Sequence, residues 1–600
     1  MKWRVILIFI GLLFVQTIIG APGDLLWATY YGGSSDDNCD GQREVGSVFV
    51  DNLGNIYITG FTKSTNFPIY NPGTGAYFQA TNFGQADVFV AKFSPNGQLL
   101  WATYYGGSSD DIGLAITSDH NCNIIVCGIT FSSNFPLYNP GGNTYYQGYT
   151  GGGDGFIIKF DSLGRRLWAT CFGGGLSDVI YAVATDFQGN IFIAGNSYSS
   201  NLPVYNPGGN AYYQSTNAGS FDGFLAKFSS FGERLWATYY GGGDEDHVYA
   251  IDVDSLGNLF ATGMTRSSNF PTYNPGGNAY YQGTLVGYRS AFILKFSSFG
   301  ERLWATYYGG NSNDYGRNIR SCINGTVFVV GNTSSTNFPT YNPGGNVYFQ
   351  GTNAGSDDLF ILKFNSFGER LWATYYGGLY ADIARSISTT ATGGIHLTGN
   401  TLSSNFPTYP PSSGGYFQGT IAGGHEAFIV SFDENCAVRW ATFYGGASTD
   451  YGMSITTDNS NNIVLTGFTL STNFPTYNPG GNIYYQGSNA GRYDAFVAKF
   501  QGFNLAIADN KDLIKNTTDD IYCPTFFRTN VTIRLPCTIG TKVQLKIFDS
   551  TGKIVLEKVF SHCNELTIYN SEFSHFKAGV YLLKIQTDNI TFGLKKIIKL

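Results

Sequence analysis

Seven tryptophans recur in one context through most of the chain. They are Trp27, Trp101, Trp168, Trp236, Trp304, Trp372 and Trp440, spaced by 74, 67, 68, 68, 68 and 68 residues. An Asn-x-Pro element keeps the same step from Asn66 to Asn473, as does the phenylalanine opening a Lys-Phe segment from Phe89 to Phe496. A fixed period of this length makes each unit one supersecondary element that buries its apolar surface against its neighbours. Four strand-like segments follow one another in a unit. In the last copy, residues 450–458 alternate in polarity, an Asn-rich turn precedes 462–467, and a long loop leads to 495–500. One copy earlier, a Gly-containing turn at 366–369 runs into a strand at 371–376. With 78 glycines, 16% aromatic and only 13% charged residues, the units are short strands and turns, which excludes a helical solenoid.

The two ends of the array decide its topology. Residues 494–500 are the seventh copy of a strand that elsewhere runs on into a Trp-Ala-Thr strand, yet none follows here. The missing partner, residues 26–33, stands at the start with no Phe-Val-Ala-Lys-Phe strand before it. Joined, the orphans complete a seventh four-stranded unit and remove two exposed edges that would invite aggregation. The expected fold is all-β: a seven-bladed β-propeller closed by pairing of its N- and C-terminal strands, over residues 21–503. A β-solenoid would also satisfy the period but leaves both orphans unexplained.

These segments resemble the bacterial seven-bladed β-propeller repeat family abbreviated SBBP. The resemblance rests on a Phe-Val-x-Lys-Phe strand, a Trp-x-Thr-Tyr-x-Gly-Gly strand with an Asp shortly after, and a Gly-Asn-x-Tyr-Val-x-Gly strand, over about residues 24–500. It implies the fold and says little of activity, since propellers host many functions.

Similar propellers place the 450–458 type of strand innermost. The long loops and the blade-to-blade connections then share one face, where a functional surface is expected. Within the long loop, the Tyr-Asn-Pro-Gly-Gly-Asn stretch is the candidate for contact with a glycan or protein, represented by Tyr273, Asn274, Tyr341, Asn342, Tyr477 and Asn478. Its Phe-Pro part reads as a wedge between blades. Ten residues after each Trp stands an aspartate: Asp37, Asp111, Asp178, Asp246, Asp314, Asp382 and Asp450. Its presence in every unit favours a turn-capping role; the alternative is a ring of carboxylates around the channel mouth. Asp244, Glu245 and Asp246 form a local acidic cluster of the kind that could coordinate Ca²⁺. Two departures from the repeat break its symmetry near this face: extra residues at 38–43 and a Pro-Pro-Ser-Ser variant at 409–415.

Signals for catalysis are poor. The six histidines show no metal-ligand spacing, and the Gly-Gly runs lack the setting of a phosphate loop. The chain carries 42 acidic and 35 basic residues, the excess lying in the repeats, which argues against a nucleic-acid partner. The nine cysteines do not recur at one repeat position and read as small-residue substitutions rather than a disulfide framework or metal site.

Residues 1–20, with Lys2 and Arg4 before an apolar run, read as a secretory signal peptide, and no later segment is apolar enough to span a membrane. Beyond a polar linker at 504–520, residues 521–600 alternate as short strands, the pattern of a small β-sandwich. They resemble the type A C-terminal sorting domain of type IX secretion, through Ile-Arg-x-Pro, Phe-Asp-x-x-Gly-Lys-x-Val, Gly-x-Tyr and a Lys-rich last strand. Asp549, Gly552, Gly579, Tyr581, Lys595 and Lys596 occupy its characteristic positions. The resemblance implies the type IX machinery as partner and a secreted or cell-surface location. The expectation is a non-catalytic binding module without a required cofactor. The alternatives are a polysaccharide hydrolase or lyase with an acidic site at the channel mouth, or a structural surface-layer component.

Overall fold

The computed structural model describes residues 21–503 apart from 323 and 413. In a second unit it describes the strand residues 526–527, 531–534, 542–548, 554–561, 565–568, 579–587 and 591–599. The proposed signal peptide and linker lie outside the described residues. No helix occurs among those described.

Residues 25–500 form seven four-stranded antiparallel sheets. Blade five shows the plan: an inner strand Asp314–Ser321, then Val327–Thr333, Asp358–Phe364 and an outer strand Arg370–Tyr376. Blade seven takes Asp450–Thr457, Ile463–Thr469 and Asp494–Phe500 from the end of the array and its outer strand, Leu25–Tyr31, from the start. Ala28 stands opposite Ala498 and Tyr30 opposite Phe496, so the closure expected from the two orphan strands is present.

The middle strands are buried except at the lysine of some third strands, because each blade is covered on both faces, which is why they read as apolar runs rather than as alternation. The core is a series of interfaces. Trp372, Phe328 and Leu359 of blade five pack with Ile387, Phe428 and Phe432 of blade six, the Trp372 and Phe432 rings meeting edge-on at 5.6 Å. A lysine in the third strand crosses most junctions. Lys159 pairs with Asp119 at 2.8 Å and donates to the carbonyl of Ser230 in the next blade. Lys499 does the same to Asp458 and to Pro95, across the closure. Blade six has Ser431 at this position, hydrogen bonded to His396.

Each long loop runs down its blade's outer edge and back. Tyr273 exchanges two backbone hydrogen bonds with Ala305 in the outer strand Arg302–Tyr308. On the returning leg the Tyr307 amide donates to the carbonyl of Gln282. The loop thus satisfies an edge that would otherwise be free to pair with another chain. Its Phe-Pro part buries Phe270 against Phe292 at 4.7 Å.

In the second unit, a five-stranded sheet has the order Phe526–Phe527, Thr591–Lys599, Gly579–Thr587, Lys542–Phe548, Ile554–Ser561. Val531–Arg534 pairs separately with Glu565–Ile568. Gly579 and Tyr581 lie in the strand opposite Lys595 and Lys596, with Leu582 facing Lys596. Asp549 and Gly552 lie outside the described residues.

Candidate functional site

The seven repeat aspartates do not line the channel. Asp37, Asp111, Asp178, Asp246, Asp314, Asp382 and Asp450 are all completely buried. Each accepts from a backbone amide four residues earlier and from a Ser hydroxyl in the adjoining turn; for Asp246 these are Gly242 N and Ser267 Oγ, both at 2.7 Å. Burial pushes their carboxyls up, Asp37 to about 8, Asp246 to about 7 and Asp382 to about 6. A second buried acid opens most third strands, such as Asp494, whose negative charge adds to the rise at Asp37. The acidic channel mouth considered from sequence is therefore corrected: these carboxylates face backbone amides and hydroxyls.

The acids at 244–246 do not converge. Glu245 pairs with Arg266 at 2.8 Å and with Arg289 at 3.3 Å, while Asp246 points into its buried turn. Among the described residues no group of three or more His, Cys, Asp or Glu is placed to hold a metal ion. The six described cysteines are unpaired. Cys436 has φ of 63°, in a turn position where other copies use glycine.

The Tyr-Asn-Pro-Gly-Gly-Asn stretch lies on the rim rather than on the face. Tyr273, Tyr341 and Tyr477 form the backbone bridges to Ala305, Ala373 and Ala28. The side chains of Asn274, Asn342 and Asn478 accept from the amides of Gly276, Gly344 and Gly480, closing tight turns. The tyrosines are half exposed, and Arg302 sits over both Tyr273 and Tyr212 of the preceding loop. These six residues are spread over three blades and do not form one site. The variant loop at 409–415 also sits at the rim, where the Tyr416 amide donates to Gly23 beside the closing strand.

A concave site does exist, at the centre. A cavity of about 890 Å³ opens among the inner strands and reaches the blade connections at Ser108–Asp110. Its wall is set by a β-bulge that recurs in six blades. In each, one residue of the inner strand is left without a partner: Leu114, Tyr181, Tyr249, Arg317, Arg385 and Met453. All six line the cavity. A bulge turns its extra residue out of the regular alternation. A glycine on the second strand permits it. A Cβ on Gly331 would stand 1.8 Å from the carbonyl oxygen of Tyr315, and one on Gly128 would stand 1.9 Å from that of Ile112.

The bulge residues differ from blade to blade, so the wall is lopsided. Leu114 and Met453 lie on one arc, and Tyr181, Tyr249, Arg317 and Arg385 on the other. The Tyr181 and Tyr249 rings meet edge-on at 5.8 Å, and Tyr249 stacks on His247, whose imidazole burial pushes down to about 4. Arg385 pairs with Glu44 at 2.6 Å. Glu44 follows the extra residues at 38–43, so this insertion in blade one reaches past blade seven to blade six. The same insertion sends Arg43 to Asp110 of blade two at 3.0 Å. Four arginines, Arg43, Arg317, Arg320 and Arg385, line the cavity against two acids, Glu44 and Asp110.

Comparison with known proteins agrees with this architecture. Residues 167–203 and 235–271 match the Beta-propeller repeat family SBBP, and residues 524–599 match the Secretion system C-terminal sorting domain. Two of the seven repeats thus match the SBBP repeat, and the C-terminal unit matches a type IX sorting domain. Such a domain implies export by that machinery to the cell surface or the medium. Among the described residues no helix is long and apolar enough to cross a membrane. An uncharacterized WD repeat-containing protein of Acanthamoeba polyphaga mimivirus is 25% identical over 54% of this chain and 26% of its own length. The regulatory protein FlaEY of Caulobacter vibrioides is 29% identical over 28% of this chain and 17% of its own. The chain thus spans about a quarter or less of these relatives. Among solved structures it is similar to Sqt1 from Chaetomium thermophilum, with a TM-score of 0.35 and 8% identity over 81% of this chain and all of that one. A puromycin hydrolase mutant gives 0.36 and 9% over 84% and 62%.

Repeat-by-repeat reading of the propeller missed the channel residues. Their signal was present: they stand three positions after the repeat Asp, where the copies disagree. Disagreement at one position of a near-identical repeat marks the place where a shared frame carries different side chains.

Proposed function

We propose that this exported propeller is a binding module that takes an extracellular ligand into the central cavity on the face of its blade connections. The observation that carries this reading is the bulge ring. Six near-identical blades present six side chains of four kinds (Leu, Tyr, Arg and Met) to one concave space, which frame stability does not require. A volume of about 890 Å³ falls within the range of small-ligand sites, which combine apolar walls with a few polar groups. The cavity is favoured over the rim aromatics, whose backbones are each tied to their own blade's edge and which do not converge on one place.

A binding module retains its ligand unchanged. The test is a glycan array and a panel of chromogenic polysaccharides, run on the exported protein and on a Tyr181→Ala/Tyr249→Ala variant. The expected result is retention of one ligand class, lost in the variant, with no release of product. Turnover of any substrate overturns the reading, as does binding indifferent to the variant.

A further inference from the structure

Arg317 is the one bulge residue of the basic arc with no acidic partner. Its Nε donates to Asn332 Oδ1 at 3.0 Å, and its guanidinium lies 4.8 Å from the Tyr315 ring centre and 5.3 Å from that of Tyr249. Among the described residues no carboxylate lies within ion-pair distance of it, whereas Arg385, Arg43 and Arg320 each have one. Asp357 exerts an attraction only at longer range and is held by Asn332. Its two Nη groups, unpartnered by protein, belong to a side chain that lines the cavity.

A guanidinium in a partly closed space, without a counter-ion, is costly unless a ligand supplies the charge. The surroundings favour that outcome. Arg385 adds a second positive charge nearby, and partial burial of the Arg317 guanidinium holds its pKa below the ordinary value. The planar fork is fixed by the Asn332 bond and by two aromatic rings, which leaves its outer edge set for an oxyanion. Around it, the Tyr181 and Tyr249 hydroxyls and the Asn318 amide line the same cavity and make no hydrogen bond among the described residues. A ligand that suits this wall carries one anionic group and several hydroxyls on a compact ring.

We propose that the cavity binds an acidic saccharide, with its carboxylate or sulfate on Arg317 and its hydroxyls on Tyr181, Tyr249 and Asn318. This rests on the binding-module reading and names its ligand class.

Calorimetric titration of the exported protein tests it with four probes: a galacturonate hexamer, its fully methyl-esterified form, a sulfated galactan oligomer and a hexaglutamate peptide. At least one acidic saccharide is expected to bind, at least tenfold more tightly than the neutral ester and the peptide, and more weakly as salt is raised. Arg317→Gln should lose tenfold or more, Arg317→Lys should recover part of that loss, and Arg165→Gln on the outer surface should lose nothing. A preference for the carboxylate or for the sulfate identifies the source of the anion. Equal binding of acid and ester, tighter binding of the peptide, or an unaltered Arg317→Gln with an unchanged melting curve overturns the acidic-saccharide inference. If the ester still binds, the binding module stands without it. If no saccharide binds here or on the glycan array, both fall.

Discussion

Two sets of side chains lie three positions apart on the inner strands, and they have opposite fates. The repeat aspartates are identical in all seven blades and wholly buried, each holding a turn together. The bulge residues are of four kinds over six blades, with Tyr and Arg each used twice, and face the channel. The frame tolerates no variation because a buried acceptor that loses its donors is expensive. The channel position carries leucine, tyrosine, arginine or methionine because the bulge turns it out of the regular strand alternation toward the cavity. A repeat can therefore stay constant in architecture and still present an asymmetric surface.

The closing strand tests the frame most severely. Deleting residues 24–33 exposes the edge of Asp494–Phe500 and removes Trp27 from the interface with blade one. The cooperative melt should be lost, or the protein should oligomerise through the open edge; sedimentation and calorimetry would tell. A monomer with an unchanged melt would refute the closed ring.

Lys159→Met comes next. Its ammonium and Asp119 are both nearly inaccessible, and breaking a buried pair by removing one partner costs about 3–5 kcal/mol. Denaturant titration should find the loss, and Ser431→Ala in blade six, which has no such pair, should cost far less.

Asp382→Ala leaves the Gly378 amide and the Ser403 hydroxyl without their acceptor. Each orphaned group costs about 1–3 kcal/mol, so the two together should lower stability by about 2 kcal/mol or more. The same carboxyls give a pH dependence. Their folded values lie above the ordinary 3.8, at about 8 for Asp37, about 7 for Asp246 and about 6 for Asp382. The folded chain therefore holds protons that the unfolded chain releases. This contribution is complete below the unfolded value and is lost as pH rises through 6 to 8. The melting temperature should be higher at pH 5 than at pH 8, and Asp37→Asn should narrow the difference.

Arg317→Gln should be the mildest change to stability, neutral or slightly stabilising, because it removes an uncompensated charge from the cavity. If it destabilised as much as Asp382→Ala, the division between frame and channel would fail.

Some of this molecule was legible in the chain. The orphan strands at 26–33 and 494–500 gave the closure, and the Phe-Pro segment was read as a wedge, as Phe270 is. The Tyr-Asn-Pro-Gly-Gly-Asn stretch was misplaced. Its rings and amides resemble a binding surface in composition, and nothing local announces that Tyr273 pairs with Ala305 on the outer edge. The insertion at 38–43 was visible as extra length, but not its reach to Arg385 through Glu44.

The sequence alone determined the number of blades and where the ring closes, because strand pattern and repeat period are local properties and a missing strand leaves an edge that only its counterpart can satisfy. Only the tertiary structure decided which residues meet in the channel. Strand alternation assigns a side chain to one face or the other, and a bulge overrides that assignment through a close approach between two backbones that no single segment encodes.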